Sequence, residues 1–76
     1  MSTVSIRITT STRKELEAML SRAFKAGDLG MVKRVTALLG IARDEPVSLV
    51  AVGVGVSPSS VYGWLRAFLL AGAIQV

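Results

Sequence analysis

The amino-acid sequence predicts an all-α fold: a small helical bundle of about four helices, the last two meeting at a tight turn, with a candidate short β-strand ahead of them. Three observations predict it. Large apolar residues recur every three or four positions over 16–24, 32–42 and 61–69, the spacing of one helical face. Helix-ending and helix-starting residues lie between those runs: Gly27 with Asp28, an RDEP segment at 43–46, and Ser57 with Pro58. The chain has 76 residues, enough for one small domain over 1–76 and a thin core.

Residues 4–9, VSIRIT, alternate apolar and polar and include β-branched side chains, which reads as one short strand. A lone strand leaves its backbone groups unpaired, so it is expected to pair with AIQV at 73–76, within the chain or across a dimer. Arg7 on that strand reads as an edge charge that blocks aggregation, more than as part of an arm following an anionic partner.

The period then changes, and a helix is expected over about 12–26. Thr12 with Glu15 three residues on matches the capping box, in which each side chain satisfies the other's backbone amide. Leu16, Met19, Leu20, Ala23 and Phe24 form its apolar stripe. Gly27 closes this helix, and Asp28 caps the next, over about 29–43. Val32, Val35, Leu38, Leu39 and Ala42 line one face, with Lys33 and Arg34 toward the flank. Gly40 either ends that helix or lies inside it at a cost of about 1 kcal/mol; continuation to about Arg43 is favoured.

The stretch VAVGVGVSPSSVYGWL at 50–65 admits three readings. With 46–49 it belongs to a charge-free run of roughly membrane-spanning length. SPSS inside that run argues against a span, because a proline and three hydroxyls would need partners in hydrocarbon. The second half is settled by Ser57 as N-cap and Pro58 at the first helical position, where its missing N–H costs nothing. Val61, Trp64, Leu65, Phe68 and Leu69 follow at i, i+3, i+4, i+7 and i+8, giving a helix over 58–71 ended by Gly72. For the first half, propensity favours a strand, but spacing favours a helix over 48–54. Ser48 would cap it, Leu49, Val50 and Val54 would line one face, and Gly55 would end it in a left-handed conformation. Val56 then plugs the core between the last two helices. Val56, Val61, Trp64, Leu38 and Leu20 are expected to be buried together, and Phe24 and Phe68 to be core aromatics.

Composition narrows the function classes. There is no cysteine and no histidine, which removes disulfides, thiolate chemistry, the commonest metal ligand and the usual general base. The five acids, Glu15, Glu17, Asp28, Asp44 and Glu45, form no pair at catalytic or metal-binding spacing, so neither an enzyme, a metal site nor a cofactor is expected. Net charge is +4 and the pI about 10.4, which favours an anionic partner such as nucleic acid. Eight of the nine cations precede Pro46, and Arg66 alone follows it. The first residues lack the apolar segment of a signal peptide, so a cytoplasmic protein with no membrane partner is expected.

VSLVAVGVGVSPSSVYGWLR, residues 47–66, resembles a helix-turn-helix motif over its whole length. Ala51 fills the small position early in the first helix, Gly55 the turn glycine, and Val50, Val54, Val56, Val61 and Trp64 the apolar positions. GVSPSSVYGWLRAF is also similar to the GVS-x-x-TVYRWLKRF phrase of mariner-like insertion-sequence transposases. The lead-in RKELEAMLSRAFKAGDLGMVKRVTALLGIA resembles the two helices that precede the motif there, so the likeness covers about 12–72. It implies sequence-specific binding of double-stranded DNA, and transposon-end recognition by a transposase N-terminal domain. The family's catalytic carboxylates lie in a later domain, so transposition and DNA recombination chemistry is not expected of this chain.

On that reading Ser57, Ser59, Ser60, Tyr62, Gly63 and Arg66 face base edges or phosphates, and Lys33 and Arg34 reach phosphate. Gly63 departs from the pattern, which carries arginine or lysine there. The rival expectation is a protein-interaction or dimerisation module that kept the fold and lost readout, supported by the scarcity of charge after Pro46 and the apolar tail LLAGAIQV. A small free-standing transcriptional regulator is a further alternative.

Overall fold

In the computed structural model residues 7–71 are described, and they form four helices: α1 (Thr10–Ala26), α2 (Leu29–Ala42), α3 (Val47–Val54) and α4 (Pro58–Ala71). The all-α expectation is met. Of the candidate strand only Arg7, Ile8 and Thr9 are described, and they form none; residues 4–6, the AIQV segment and Gly72 lie outside the described residues.

The helix starts are set by caps, and two differ from the sequence expectation. α1 begins at Thr10, not Thr12, with Thr9 as N-cap: the Thr12 amide donates to Thr9 Oγ1 at 3.0 Å. TTST offers several cap-competent residues in a row. Starting at the first places Ile8, just ahead of the cap, against the core. α3 begins at Val47, not after a Ser48 cap; Pro46 holds the cap position in an extended conformation and makes no side-chain cap bond. The earlier start brings Val47 into the first turn, where it is buried. Asp28 caps α2 as expected, accepting the Met31 amide at 3.1 Å. α2 itself ends at Ala42, and Arg43 is already non-helical.

One device ends the first three helices. After α1 the amides of Asp28 and Gly27 return to the carbonyls of Ala23 and Phe24. After α3 the amides of Val56 and Gly55 return to Ala51 and Val52, and after α2 those of Glu45 and Asp44 return to Gly40 and Ile41. Each is a Schellman closure, which satisfies otherwise orphaned carbonyls through one left-handed residue. Gly27 (φ 71°) and Gly55 (φ 76°) supply that conformation without a Cβ penalty, whereas Asp44 adopts it at φ 64° despite its side chain.

α2 is the centre of the molecule. It touches α1, α3 and α4, whereas α1 touches only α2 among the described helices. Val35, Ala37, Leu38 and Ile41 are therefore buried on more than one side of α2, together with Leu16 of α1, Val50 and Ala51 of α3, and Val61 and Leu65 of α4. Gly40 continues inside the helix for a packing reason: a Cβ there would lie 3.1 Å from Val50 Cγ2 and 3.1 Å from Glu45 Oε1. Val56, Trp64 and Leu20 pack against this core but are only half-buried.

Three expected core residues are exposed: Phe24 at 63%, Leu49 at 66% and Leu69 at 59%. Phe24 lies at the edge of a stripe that, among the described helices, has only α2 to cover it. The buried face of α3 is Val47, Val50 and Ala51 with Val54 beside them, so Leu49 points away from it. Leu69 is in the last turns of α4, beyond the buried Val61 and Leu65. No described helix is long and apolar enough to cross a membrane by itself; α3 and α4 reach that length only jointly, across a bend of 106°.

Candidate nucleic-acid interface

The turn between α3 and α4 is built by four consecutive residues. Gly55 closes α3 in the left-handed region, Val56 turns inward onto the core, Ser57 caps the next helix and Pro58 opens it. The 106° bend lies within the roughly 90–120° typical of helix-turn-helix pairs. Ser57 accepts the Ser60 amide on its hydroxyl at 3.3 Å, and the Ser57 and Ser60 hydroxyls lie 3.3 Å apart.

α4 has two chemically different sides. Val61 and Leu65 are buried against the rest of the fold, with Trp64 and Phe68 partly covered beside them. Opposite them Ser59, Tyr62, Gly63 and Arg66 are exposed, spaced as a helical stripe. Tyr62 keeps 47% of its surface, and a Cβ built at Gly63 meets nothing within 4 Å, so the stripe has open space above it. Ser57 is exposed as well, while Ser60 is half-buried and turned toward the cap.

Lys33 and Arg34 are exposed on α2. Lys33 precedes Gly40 by two helical turns, and Arg34 precedes Ile41 by the same interval, so each shares a face with a residue covered further along. Gly40 looks toward Val50 of α3. Lys33 thus projects from the open first half of the α2 face whose second half meets Val50 of α3, and Arg34 from the open first half of the face that is buried at Ile41. Among the described residues the one ion pair is Arg43 with Glu45, at 3.4 Å and exposed. Lys33, Arg34 and Arg66 have no carboxylate partner there.

Two exposed apolar groups lie beside this site: the one on α3 was not anticipated, whereas Leu70 belongs to the apolar tail expected to be exposed. Leu49 and Val52 (78% exposed) stand on the outer side of α3, and Leu70 (78%) joins Leu69 beyond Arg66. The available signal was crowding: an eight-residue helix with large apolar residues at 47, 49, 50, 52 and 54 has more than one face can bury. A shallow depression of about 250 Å³ lies away from the turn, between Met19, Arg22, Ala23, Ala26, Asp28 and Met31. Its one carboxylate is occupied by the α2 cap. No cluster of three metal-ligating side chains occurs among the described residues. Compared with protein-family models, with curated proteins and with solved structures, the chain has no match.

Proposed function

We propose that this domain binds double-stranded DNA, with α4 entering the major groove and α3 supporting it. The observation that carries the proposal is the exposed α4 stripe, which begins immediately after a steep, capped turn and has none of the described residues over it. Arg66 and Tyr62 are the long side chains on that stripe and supply base contacts; Ser59 reaches a base edge or a phosphate. Ser57 and Ser60 lie at the helix start, where hydroxyls and amides suit a phosphate oxygen. Lys33 and Arg34 add sequence-independent phosphate attraction, and Gly63 lies on the groove-facing stripe where a longer side chain has room to reach DNA. The likeness of 55–68 to the mariner-like phrase supports the finer reading, transposon-end recognition by a cytoplasmic transposase N-terminal domain; this chain has no catalytic part in that chemistry.

The test is titration of a fluorescent mixed-sequence duplex at several salt concentrations. Phosphate contacts make the logarithm of affinity fall linearly with the logarithm of salt, with a slope of about −0.9 per phosphate neutralised. Binding too weak to measure even at low salt would reject the proposal. The exposed Leu49, Val52, Leu69 and Leu70 favour a second reading, a protein-interaction module that kept the fold without DNA readout. A small free-standing regulator would share the DNA contacts and lack any transposon-end preference.

A further inference from the structure

We propose that the outer face of α3 is a self-association surface, occupied by α3 of a second copy in an antiparallel, two-fold arrangement. The inference does not rest on DNA binding. Four side positions make up this face: Ser48, Leu49, Val52 and Gly53, all exposed. Leu49 is a knob, and Gly53, one helical turn along the same face, is a notch. A face that carries both, displaced along one axis, complements its own two-fold copy: Leu49 of each chain fills the space over Gly53 of the other, and the two Val52 side chains meet near the axis.

Gly53 gives this pairing its second support. A glycine within a helix costs up to about 1 kcal/mol relative to alanine, and no described residue explains this one, since a Cβ there meets none of their atoms within 4 Å. Gly40, by contrast, is explained by Val50. Close approach of an outside backbone is what a glycine in open space permits.

Charge selects the occupant. The chain is +4, yet residues 46–65 carry no charge at all. An acidic partner would find no cation on this face, and a lipid surface would find none of the lysine or arginine that flanks interfacial helices. A second copy brings a matching uncharged surface. Because the buried face of α3 points back at the fold, and α1 packs on α2 and not on α3, pairing at α3 also keeps the basic α1 helices apart. One face of an eight-residue helix falls well short of the roughly 800 Å² per partner of a standard interface, so the dimer is weak and concentration-dependent.

Sedimentation velocity of the full chain from about 10 μM to 1 mM, the range of weak small interfaces, reads the equilibrium directly. The wild-type protein should shift toward dimer across that series. Leu49→Glu and Gly53→Lys should each weaken association about a hundredfold, because each places two uncompensated charges in the interface. Mixing the two variants should restore it, since the new carboxylate of one then faces the new ammonium of the other. Val52→Lys is a third disrupting change, and helical circular dichroism confirms that each variant is folded. A wild-type protein monomeric throughout, a Leu49→Glu variant that still dimerises, or a mixture that fails to associate after each variant alone has failed would overturn the proposal. Loss of dimer on Leu69→Glu with Leu49→Glu unaffected would move the interface to α4, and overturn it equally.

Discussion

Gly40 and Gly53 are both interior helix glycines, yet replacing them should shift stability in opposite directions. Alanine at Gly53 enters open space and recovers helix propensity, so Gly53→Ala should stabilise the dilute monomer by about 0.5–1 kcal/mol in urea unfolding. Alanine at Gly40 presses on the buried, stiff Val50, where overpacking of about 1–3 kcal/mol outweighs the same gain, so Gly40→Ala should lower the unfolding midpoint. Asp44 is the third special position. It occupies the left-handed slot that Gly27 and Gly55 fill without strain. Asp44→Gly should therefore raise stability by about 0.5–1 kcal/mol, and no gain in a denaturant titration would mean that local hydrogen bonding already offsets the strain.

At the scale of elements, α4 carries the proposed readout and its cap carries α4. Ser57→Ala should cost about 0.5–1 kcal/mol by removing the hydroxyl that shares the Ser60 amide with the Ser57 carbonyl, visible as fraying of the α4 start in NMR shifts. Arg66→Ala should reduce discrimination between target and random duplex by about 1–3 kcal/mol if the arginine contacts guanine. Gly63→Arg projects into unobstructed space and removes a helix-weakening glycine, so DNA affinity should rise; an unchanged affinity together with a silent Arg66→Ala would take this face off the DNA. Much of this element was legible in the sequence. Gly27, Asp28, Gly55 and Ser57 each have one obvious punctuating role, and Ser59, Tyr62 and Arg66 had to face outward once Val61 and Leu65 faced in. The starts of α1 and α3 were less legible, because several neighbouring threonines could cap one and Pro46 displaced Ser48 at the other. The half-burial of Ser60 in the cap was not legible from periodicity either. Phe24, Leu49 and Leu69 show the larger gap: a periodic stripe gives the direction a helix faces, and says nothing of whether another element reaches far enough to cover it.

For the whole molecule, the distribution of charge separates two binding terms. Lys33→Ala or Arg34→Ala should weaken DNA binding alike for all sequences and make the salt slope shallower by about one unit for each phosphate no longer neutralised. A slope unchanged in both variants would leave those cations as solvated surface. Stability should depend most on the few residues that tie the layers together. Leu16, 1% exposed, is the largest buried side chain that α1 contributes, so Leu16→Ala should cost about 2–5 kcal/mol in chemical denaturation. The position of α2 has a consequence for kinetics. Each helix packs on its neighbour in the chain, and α2 with α4 is the one pairing between described helices that are not consecutive. Such a topology closes short loops before long ones, so little chain entropy is lost ahead of the contacts that reward it. Refolding after a temperature jump should therefore fall in the microsecond to millisecond range of local helical topologies. The slowest native contact to form should be the docking of α4 onto α2, which is also the step that completes the steep turn presenting the exposed stripe.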